Sequence, residues 1–225
     1  MQDQTVQIDW RDGRVPVSRL FDDPYFSLDD GLEETRHVFL AGNGLPGRFG
    51  GDFHIAELGF GTGLNLLVTW AAWAAAGAPG RLRFTSFEAY PMAPADRATA
   101  LAAFPVLAPL AQTLCAATAG GLGRHDLAPG LMLEVITGDA RATLPQWAGM
   151  ADAWYLDGFS PAKNPQMWEP ALLRAVADHT MPGGTLATYT AAGHVRRALA
   201  EAGMEVTRQP GFGRKRHMSM ARRPG

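Results

Sequence analysis

Short segments rich in apolar residues alternate along the chain with longer segments of helix-forming composition. Strands that alternate with helices favour a mostly parallel sheet covered by helices on both faces. The pattern predicts strands over residues 53–58, 82–88, 131–137, 153–157 and 185–189, and helices over 64–76, 93–104, 106–119, 168–179 and 195–202.

The first fifty residues have a different pattern. Apolar and polar residues alternate over 6–10 and 15–18, and the Asp12-Gly13 pair between them is typical of a hairpin turn. Asp29 or Asp30 is expected to cap a helix that runs from about residue 31 to 41. These residues predict a β-hairpin and a helix ahead of the alternating core.

A second hairpin is predicted near the end, with strands over 205–209 and 217–221 joined by a turn at Gly211-Phe212-Gly213. The predicted fold is therefore α/β and Rossmann-like, with a mostly parallel seven-stranded sheet, a C-terminal antiparallel hairpin and an N-terminal β-hairpin extension. We expect residues 1–50 to form the extension and 51–225 the core, within one structural domain.

Composition excludes several classes of protein. With 225 residues, 47% of them hydrophobic, the chain suits one folded α/β domain. No apolar run reaches the roughly 20 residues of a membrane span, and the start resembles no secretory signal, so we expect a cytoplasmic protein without membrane contact. A lone Cys115 excludes an internal disulfide, and neither it nor the histidines have metal-binding spacing, so no metal is expected.

Charge is distributed unevenly along the chain. The whole chain has a net charge of −2, yet from residue 196 onward eight basic side chains accompany only two acidic ones, a net of +6. This asymmetry favours an anionic partner on the C-terminal side, and a solvated charged tail is the alternative.

Three alternate glycines, Gly59, Gly61 and Gly63, separate the strand over 53–58 from the helix that follows. Such a turn lets the backbone approach a ligand closely, and the N–H groups of the next helix point at it. The dinucleotide fingerprint would need glycine where the chain has Leu64. The G-x-G-x-G pattern after an acidic residue instead resembles motif I of class I S-adenosylmethionine-dependent methyltransferases. A tight turn without a ligand is the alternative.

Carboxylates follow the predicted parallel strands, at the edge where doubly wound sheets bind ligands. Glu57 ends the first strand, and Glu88 ends the second, where a carboxylate can bind ribose hydroxyls. Asp139, followed by Ala140, comes after the third strand and can accept a bond from an adenine amino group. Asp157 ends the fourth strand. Each of them alone could equally be a helix cap or a loop residue.

The segment Asp157-Gly158-Phe159-Ser160-Pro161 resembles the Asp-Pro-Pro-Tyr motif of amino-methyltransferases, with Gly158 in place of the first proline. A carboxylate about 3 Å from an amine can orient it and accept its proton, and an aromatic ring beside it can stack on a base. The alternative is a strand-end turn in which Asp157 caps and Phe159 packs. Lys163, a few residues on, could bind a phosphate or the substrate base, or simply be solvated.

The basic loop over 211–216, with Phe212 among cationic residues, fits single-stranded RNA, because arginine binds phosphate and an aromatic ring stacks on a base. A basic hairpin tip without function is the alternative.

Six segments together resemble one family, the methyltransferase domain of the bifunctional tRNA 5-methylaminomethyl-2-thiouridine biosynthesis enzyme. The likeness extends from about residue 7 to 221, and the segment around Asp157 is more specific than motif I. The segments are Phe21–Phe26, Gly31–Arg36, Glu57–Asn65, Phe87-Glu88, Asp152–Pro165 and Gly211–Arg216.

This resemblance implies S-adenosyl-L-methionine as cofactor and N-methylation of 5-aminomethyl-2-thiouridine at the tRNA wobble position. It also implies the tRNA anticodon region as partner, and an FAD-dependent oxidoreductase, fused or separate, that supplies the substrate. Asp157 is the candidate catalytic residue. The candidate cofactor-binding residues are Glu57, Gly59, Gly61, Gly63, Asn65, Glu88, Asp139 and Ala140, and the candidate substrate-binding residues are Phe159, Lys163, Phe212, Arg214, Lys215 and Arg216.

Two rival functions stay open from the sequence. One is a class I methyltransferase for a small-molecule or protein amine, which a salt titration of substrate affinity would separate from a tRNA enzyme. The other is a non-catalytic RNA-binding module with a vestigial cofactor pocket. A nicotinamide oxidoreductase is a third, weaker reading, opposed by Leu64.

Overall fold

The computed structural model describes residues 6–27, 30–78 and 80–225. Its strands are β1 (Ile8–Arg11), β2 (Val15–Ser18), β3 (Asp23–Pro24), β4 (Asp52–Leu58), β5 (Arg81–Glu88), β6 (Arg124–Ala128), β7 (Leu131–Thr137), β8 (Ala151–Leu156), β9 (Thr180–Thr188), β10 (Glu205–Pro210) and β11 (His217–Arg222). Its α-helices are α1 (Gly31–Thr35), α2 (Leu64–Ala75), α3 (Pro94–Leu101), α4 (Ala108–Ala117), α5 (Ala140–Thr143), α6 (Pro170–Asp178) and α7 (Gly193–Glu201).

The large sheet has eight strands in the order β10-β11-β9-β8-β4-β5-β7-β6. The pairs among β9, β8, β4, β5 and β7 are parallel, and β11 is antiparallel to both β9 and β10. The predicted mostly parallel sheet with a C-terminal antiparallel hairpin is confirmed. Because the chain leaves β4 first toward β5 and later returns on its other side as β8, the crevice between β4 and β8 is the topological switch point, where such sheets bind ligands.

The prediction of seven strands is wrong by one strand in this sheet. The additional strand, β6, pairs antiparallel with β7 at the sheet edge. Only Leu127 of its five residues is buried, and Arg124, His125 and Asp126 are exposed or partly exposed. An edge strand has one neighbour and tolerates charged residues, so its sequence lacks the apolar pattern of the central strands.

Alternate residues of the central strands serve two apolar layers, as the pleat of a strand requires. Ile55 of β4 and Tyr155 of β8 face the layer that contains α2 and α4. Ala56 and Trp154 face the opposite layer, which contains α6 and α7. The helices therefore cover both faces of the sheet.

The N-terminal hairpin is present, and a short third strand, β3, extends it to a three-stranded sheet. Asp12 and Gly13 have φ values of 51° and 65°, which is the backbone of a mirror-image hairpin turn. Asp30 caps α1 by accepting a bond from the Glu33 N–H at 3.0 Å, while Asp29 lies outside the described residues.

The predicted helix over 31–41 is α-helical only through α1. It continues as a π-helix over Arg36–Leu40 and a 3₁₀ turn over Ala41–Asn43. This irregular end packs tightly on the sheet, since a Cβ on Gly42 would lie 2.8 Å from the Ala187 Cβ. Asn43 Nδ2 also donates to the Trp154 carbonyl at 3.3 Å, so the extension is bonded to the core strands.

In the described ranges, no single helix combines the length and apolar composition needed to cross a membrane. The helices over 94–101 and 105–117, which meet at 115°, meet that criterion only when taken together.

Candidate active site

A cavity of about 450 Å³ opens at the carboxyl edge of the sheet, where β4 and β8 lie side by side. Its walls are the glycine turn after β4, the loop after β8, a segment from the N-terminal extension, the end of β9 and the tip of the β10–β11 hairpin. The cavity therefore occupies the switch point of the sheet.

Two constraints require glycine in the turn after β4, namely its positive φ angles and the close neighbours that a side chain would meet. Gly59, Gly61 and Gly63 have φ values of 91°, 52° and 83°, a backbone region that disfavours any side chain. A Cβ on Gly59 would lie 3.0 Å from the Asp157 carbonyl oxygen, and one on Gly61 would lie 3.0 Å from the Tyr25 ring. Both line the cavity, whereas Gly63 faces Leu114 and Phe60. The third glycine is thus explained by packing.

Glu88 fixes the shape of this turn. One carboxylate oxygen accepts the Gly61 N–H at 2.9 Å, and the other accepts the Tyr90 N–H at 2.7 Å. Glu88 is mostly buried and lines the cavity. Its carboxylate therefore joins the ends of β4 and β5 and presents its remaining lone pairs to the cavity.

Asp139 and Ala140 line the cavity at the end of β7. The Asp139 carboxylate caps α5 by accepting the Arg141 N–H at 2.9 Å, and it forms an ion pair with the Arg141 guanidinium at 2.6 Å. This bond holds the pKa of Asp139 below its ordinary value. Asp139 is thus a helix cap and a wall of the cavity at the same time.

A buried polar chain extends from the cavity wall to Glu57 beneath the floor. Asn65 Nδ2 donates to Glu57 Oε1 at 2.9 Å and to Asp157 Oδ2 at 2.6 Å. The Thr35 hydroxyl donates to Asn65 Oδ1 at 2.9 Å, which fixes the orientation of the amide. Ser86 donates to the second oxygen of Glu57 at 2.7 Å. One amide therefore holds two carboxyl groups of the predicted set together.

The two carboxyl groups differ in their surroundings. Glu57 is fully buried, and this burial raises its pKa well above the ordinary value despite the bonds from Ser86 and Asn65. Asp157 lines the cavity, and burial raises its pKa to about 7, against the opposing effect of the Asn65 bond. Near neutral pH Asp157 can therefore both accept and release a proton, as a general base requires.

Aromatic rings surround the loop that follows β8. The Phe159 ring lies 4.8 Å from that of Phe21 and 5.1 Å from that of Tyr25, centroid to centroid. The Tyr189 hydroxyl donates to the Gly158 carbonyl at 2.8 Å. All four rings line the cavity, so an aromatic wall stands beside the Asp157 carboxylate.

The hairpin tip closes the cavity on the remaining side. Phe212, Arg214 and Lys215 line it. Lys215 Nζ forms an ion pair with Glu34 at 2.7 Å and lies 4.0 Å from the centroid of the Tyr189 ring. This contact links the C-terminal hairpin to α1.

Eleven of the fifteen candidate residues line the cavity, and four lie elsewhere. Glu57 is beneath the floor, Gly63 is in the packing behind the turn, and Arg216 follows the hairpin tip. The Lys163 ammonium bonds to the carbonyl and the carboxylate of Asp22, so it secures the N-terminal segment. A substrate-binding role for Lys163 and Arg216 stays a prediction.

Sequence reasoning gave no role to several residues of the cavity wall, namely Phe21, Tyr25, Glu34, Thr35 and Tyr189. Four of these five belong to the segments 21–26 and 31–36, which the family resemblance already included. The family resemblance was therefore the signal in the sequence that could have assigned these four residues to the cavity.

Curated relatives match almost all of this chain. The tRNA 5-methylaminomethyl-2-thiouridine biosynthesis bifunctional protein MnmC of Pseudomonas paraeruginosa is 48% identical over 96% of the chain, and its namesake in Caulobacter vibrioides is 48% identical over 96%. The matched regions make up 34% and 38% of those proteins, so the chain spans about a third of the length of these relatives.

Structural and family comparisons agree with each other. The crystal structure of MnmC2 from Aquifex aeolicus superposes with a TM-score of 0.79 at 24% identity, covering 100% of this chain and 73% of that one, and it shows the same class I methyltransferase fold. The model of a family described as S-adenosyl-L-methionine-dependent methyltransferase matches residues 107–224, more than half of the chain. The glycine turn, the cavity at the switch point and this match lead to one conclusion: the chain belongs to the S-adenosyl-L-methionine-dependent methyltransferase family.

Proposed function

We propose that this chain methylates the exocyclic amine of 5-aminomethyl-2-thiouridine at the wobble position of tRNA, giving 5-methylaminomethyl-2-thiouridine. The observation that carries the proposal is the Asp157 carboxylate, which faces the cavity between the glycine turn and the aromatic rings around Phe159. The curated relatives, of whose length this chain covers about a third, have names that support the same reaction.

The cavity suits the family's cofactor, S-adenosyl-L-methionine. Its volume of about 450 Å³ lies within the range of small-molecule sites. Gly59 and Gly61 line the cavity with backbone and no side chain, and Glu88 and Asp139 offer acceptors for hydroxyl and amino groups. These four residues, with Ala140 and Asn65, would hold the cofactor, which when bound supplies a methyl group on a positively charged sulfur.

Asp157 would prepare the acceptor amine for reaction. An alkylamine is protonated at neutral pH and has no free lone pair, so its nitrogen must lose a proton before it forms the new N–C bond. The carboxylate of Asp157 accepts that proton and orients the amine through a hydrogen bond. The bond from Asn65 keeps a fraction of Asp157 ionised near pH 7 in spite of burial. The proton then passes to solvent through the open cavity.

The base and its flanking phosphates would be held by the walls of the cavity. Phe159 and Tyr189 offer ring faces for stacking on the modified uracil. Arg214 and Lys215 stand at the hairpin tip, where phosphates beside the inserted base can reach them. A cytoplasmic location, and an FAD-dependent oxidoreductase that supplies the aminomethyl substrate, complete the proposal.

The deciding experiment is methyl transfer from labelled S-adenosyl-L-methionine to tRNA from a strain that lacks this modification step, followed by nucleoside analysis. Label in 5-methylaminomethyl-2-thiouridine supports the proposal. Unlabelled tRNA, while calorimetry shows intact cofactor binding, would refute the tRNA substrate and favour a small-molecule or protein amine. Asp157→Asn is the matched control, because it keeps the shape of the side chain and removes its basicity.

A further inference from the structure

Three arginines and one histidine lie beside the hairpin tip and outside the cavity. They are Arg196 on α7, Arg208 on β10, and Arg216 and His217 where β11 begins, and we refer to these four residues as the hairpin cluster. None of them lines the cavity, so the proposed reaction gives them no role.

The sheet register brings these residues to one surface. Arg208 pairs with Ser219 and Pro210 pairs with His217, so the side chains of Arg208 and His217 point to the same face as diagonal neighbours. Val206 on that face packs on the layer that contains α7, and a shallow depression between α7 and β10 is lined by Gly193, Arg196, Arg197, Ala200 and Val206. Burial, followed by the charges of Arg208, Arg216 and Arg196, lowers the pKa of His217, in keeping with this proximity.

The cluster has no internal counter-charge. Throughout the described ranges, no carboxylate lies within 4.0 Å of Arg196, Arg208 or Arg216, whereas Arg81 and Arg141 each form an ion pair with an aspartate. Arginines without carboxylate partners keep their full charge for an external anion, and their planar fork matches a phosphate.

The cluster is also continuous with the mouth of the cavity. Phe212, Arg214 and Lys215 line the mouth, and Arg216 and His217 follow them directly along the hairpin. A nucleic acid strand with one base in the cavity would therefore lie with its neighbouring phosphates over this hairpin. We propose that the hairpin cluster binds the phosphodiester backbone of RNA on one side of the base in the cavity, an inference that rests on the proposed tRNA substrate.

The test compares tRNA affinity across a series of salt concentrations for two double variants. Arg196→Ala with Arg208→Ala removes two charges from the cluster. Arg81→Ala with Arg83→Ala removes the same charge from the start of β5, at the opposite end of the sheet. Each lost phosphate contact lowers the slope of log affinity against log salt by about 0.7 to 0.9. We expect the cluster variant to lose about 1.5 from this slope and about tenfold in affinity at 0.15 M salt.

Three further results decide the inference. Calorimetry of S-adenosyl-L-methionine should give the wild-type affinity in both variants. The double variant Arg196→Lys with Arg208→Lys keeps both charges and should therefore keep the wild-type slope. An unchanged slope in the cluster variant would overturn the inference, and it would leave an acidic protein as the partner of this surface. Methyl transfer is measured separately, so tRNA that binds through the cluster without being methylated would refute the proposed reaction and not the binding surface.

Discussion

Replacement of Asn65 by leucine should move the pH dependence of methyl transfer. In the wild-type chain Asn65 Nδ2 donates to Asp157 Oδ2 at 2.6 Å and to Glu57 Oε1 at 2.9 Å. A hydrogen bond to a charged group stabilises it by about 1.5 to 3 kcal/mol, and 1.36 kcal/mol corresponds to about one pKa unit. Loss of this donor should therefore raise the pKa of Asp157 from about 7 by about 1 to 2 units.

The consequence for the rate follows from the fraction of ionised Asp157. A base with a pKa near 7 is half ionised at pH 7, so the leucine variant should be about 5- to 50-fold slower at that pH and should recover as the pH rises. The assay is kcat for methyl transfer from pH 5.5 to 10 at saturating S-adenosyl-L-methionine, with cofactor affinity measured separately because Asn65 also lines the cavity.

Two control variants test whether the shift of the acidic limb comes from the bond between Asn65 and Asp157. Thr35→Val removes only the bond that orients the Asn65 amide, so it should shift the acidic limb in the same direction by a smaller amount. Thr69 is on the same helix as Asn65, and Thr69→Val breaks a buried bond to the Tyr155 hydroxyl on β8. Thr69 has no hydrogen bond to either carboxyl group, so this variant should leave the limb in place. An acidic limb at the wild-type pH in the leucine variant would refute the role assigned to Asp157.

Three other predictions test the surroundings of the site. Gly61→Ala puts a side chain at a φ of 52° and 3.0 Å from the Tyr25 ring, so it should lower Tm by about 2 to 8 °C, and more than Gly13→Ala, which has a φ of 65° and open space; equal losses would contradict the contact argument. Glu88→Ala leaves two backbone N–H groups without acceptors and should weaken cofactor binding about tenfold by calorimetry, whereas wild-type affinity would count against this role. Burial lowers the pKa of His54 to about 4, so neutral His54 stabilises the folded chain fully above pH 6.5, and up to about 3 kcal/mol of the free energy of unfolding is lost as the pH falls toward 4. In urea unfolding, the stability of His54→Leu should fall less between pH 6.5 and 4 than that of the wild type, and the same fall in both proteins would refute this prediction.

The fold could be predicted from sequence wherever burial leaves a strong pattern. Strands β4, β5 and β7 are each flanked by other strands, and their apolar content marks them within a residue or two. Strand β6 was missed, because an edge strand of Arg124, His125 and Asp126 has the composition of a loop. The change from an α-helix to a π-helical turn over Arg36–Leu40 was also missed, since Val38, Phe39 and Leu40 are buried apolar residues that suit a regular helix equally well.

The site was predictable to the extent that topology places it. Glu88, Asp139 and Asp157 could be assigned to one edge, because the carboxyl ends of parallel strands meet there. Thr35 and Tyr25 could not be assigned on those grounds, since nothing local in their sequence says that the extension folds back over the switch point. The packing of Gly63 could not be predicted either, because Leu114, which a Cβ on Gly63 would meet, is distant in sequence.

The walls of the cavity come from opposite ends of the sequence, and this has a consequence for biosynthesis. The Lys215–Glu34 ion pair joins residues 181 positions apart, and Tyr25 and Phe212 stand on the same cavity. A ribosome synthesises the chain from its N-terminus at about 5 to 20 residues per second, so the early wall must wait about 10 to 40 seconds for the late one. Until then the apolar rings of Phe21, Tyr25 and Phe159 lack the hairpin that closes the cavity over them. The nascent chain should therefore be able to hold a base beside Asp157 only once the hairpin of β10 and β11 has left the exit tunnel, and ribosome-bound chains whose hairpin is still inside the tunnel should transfer no methyl group to tRNA.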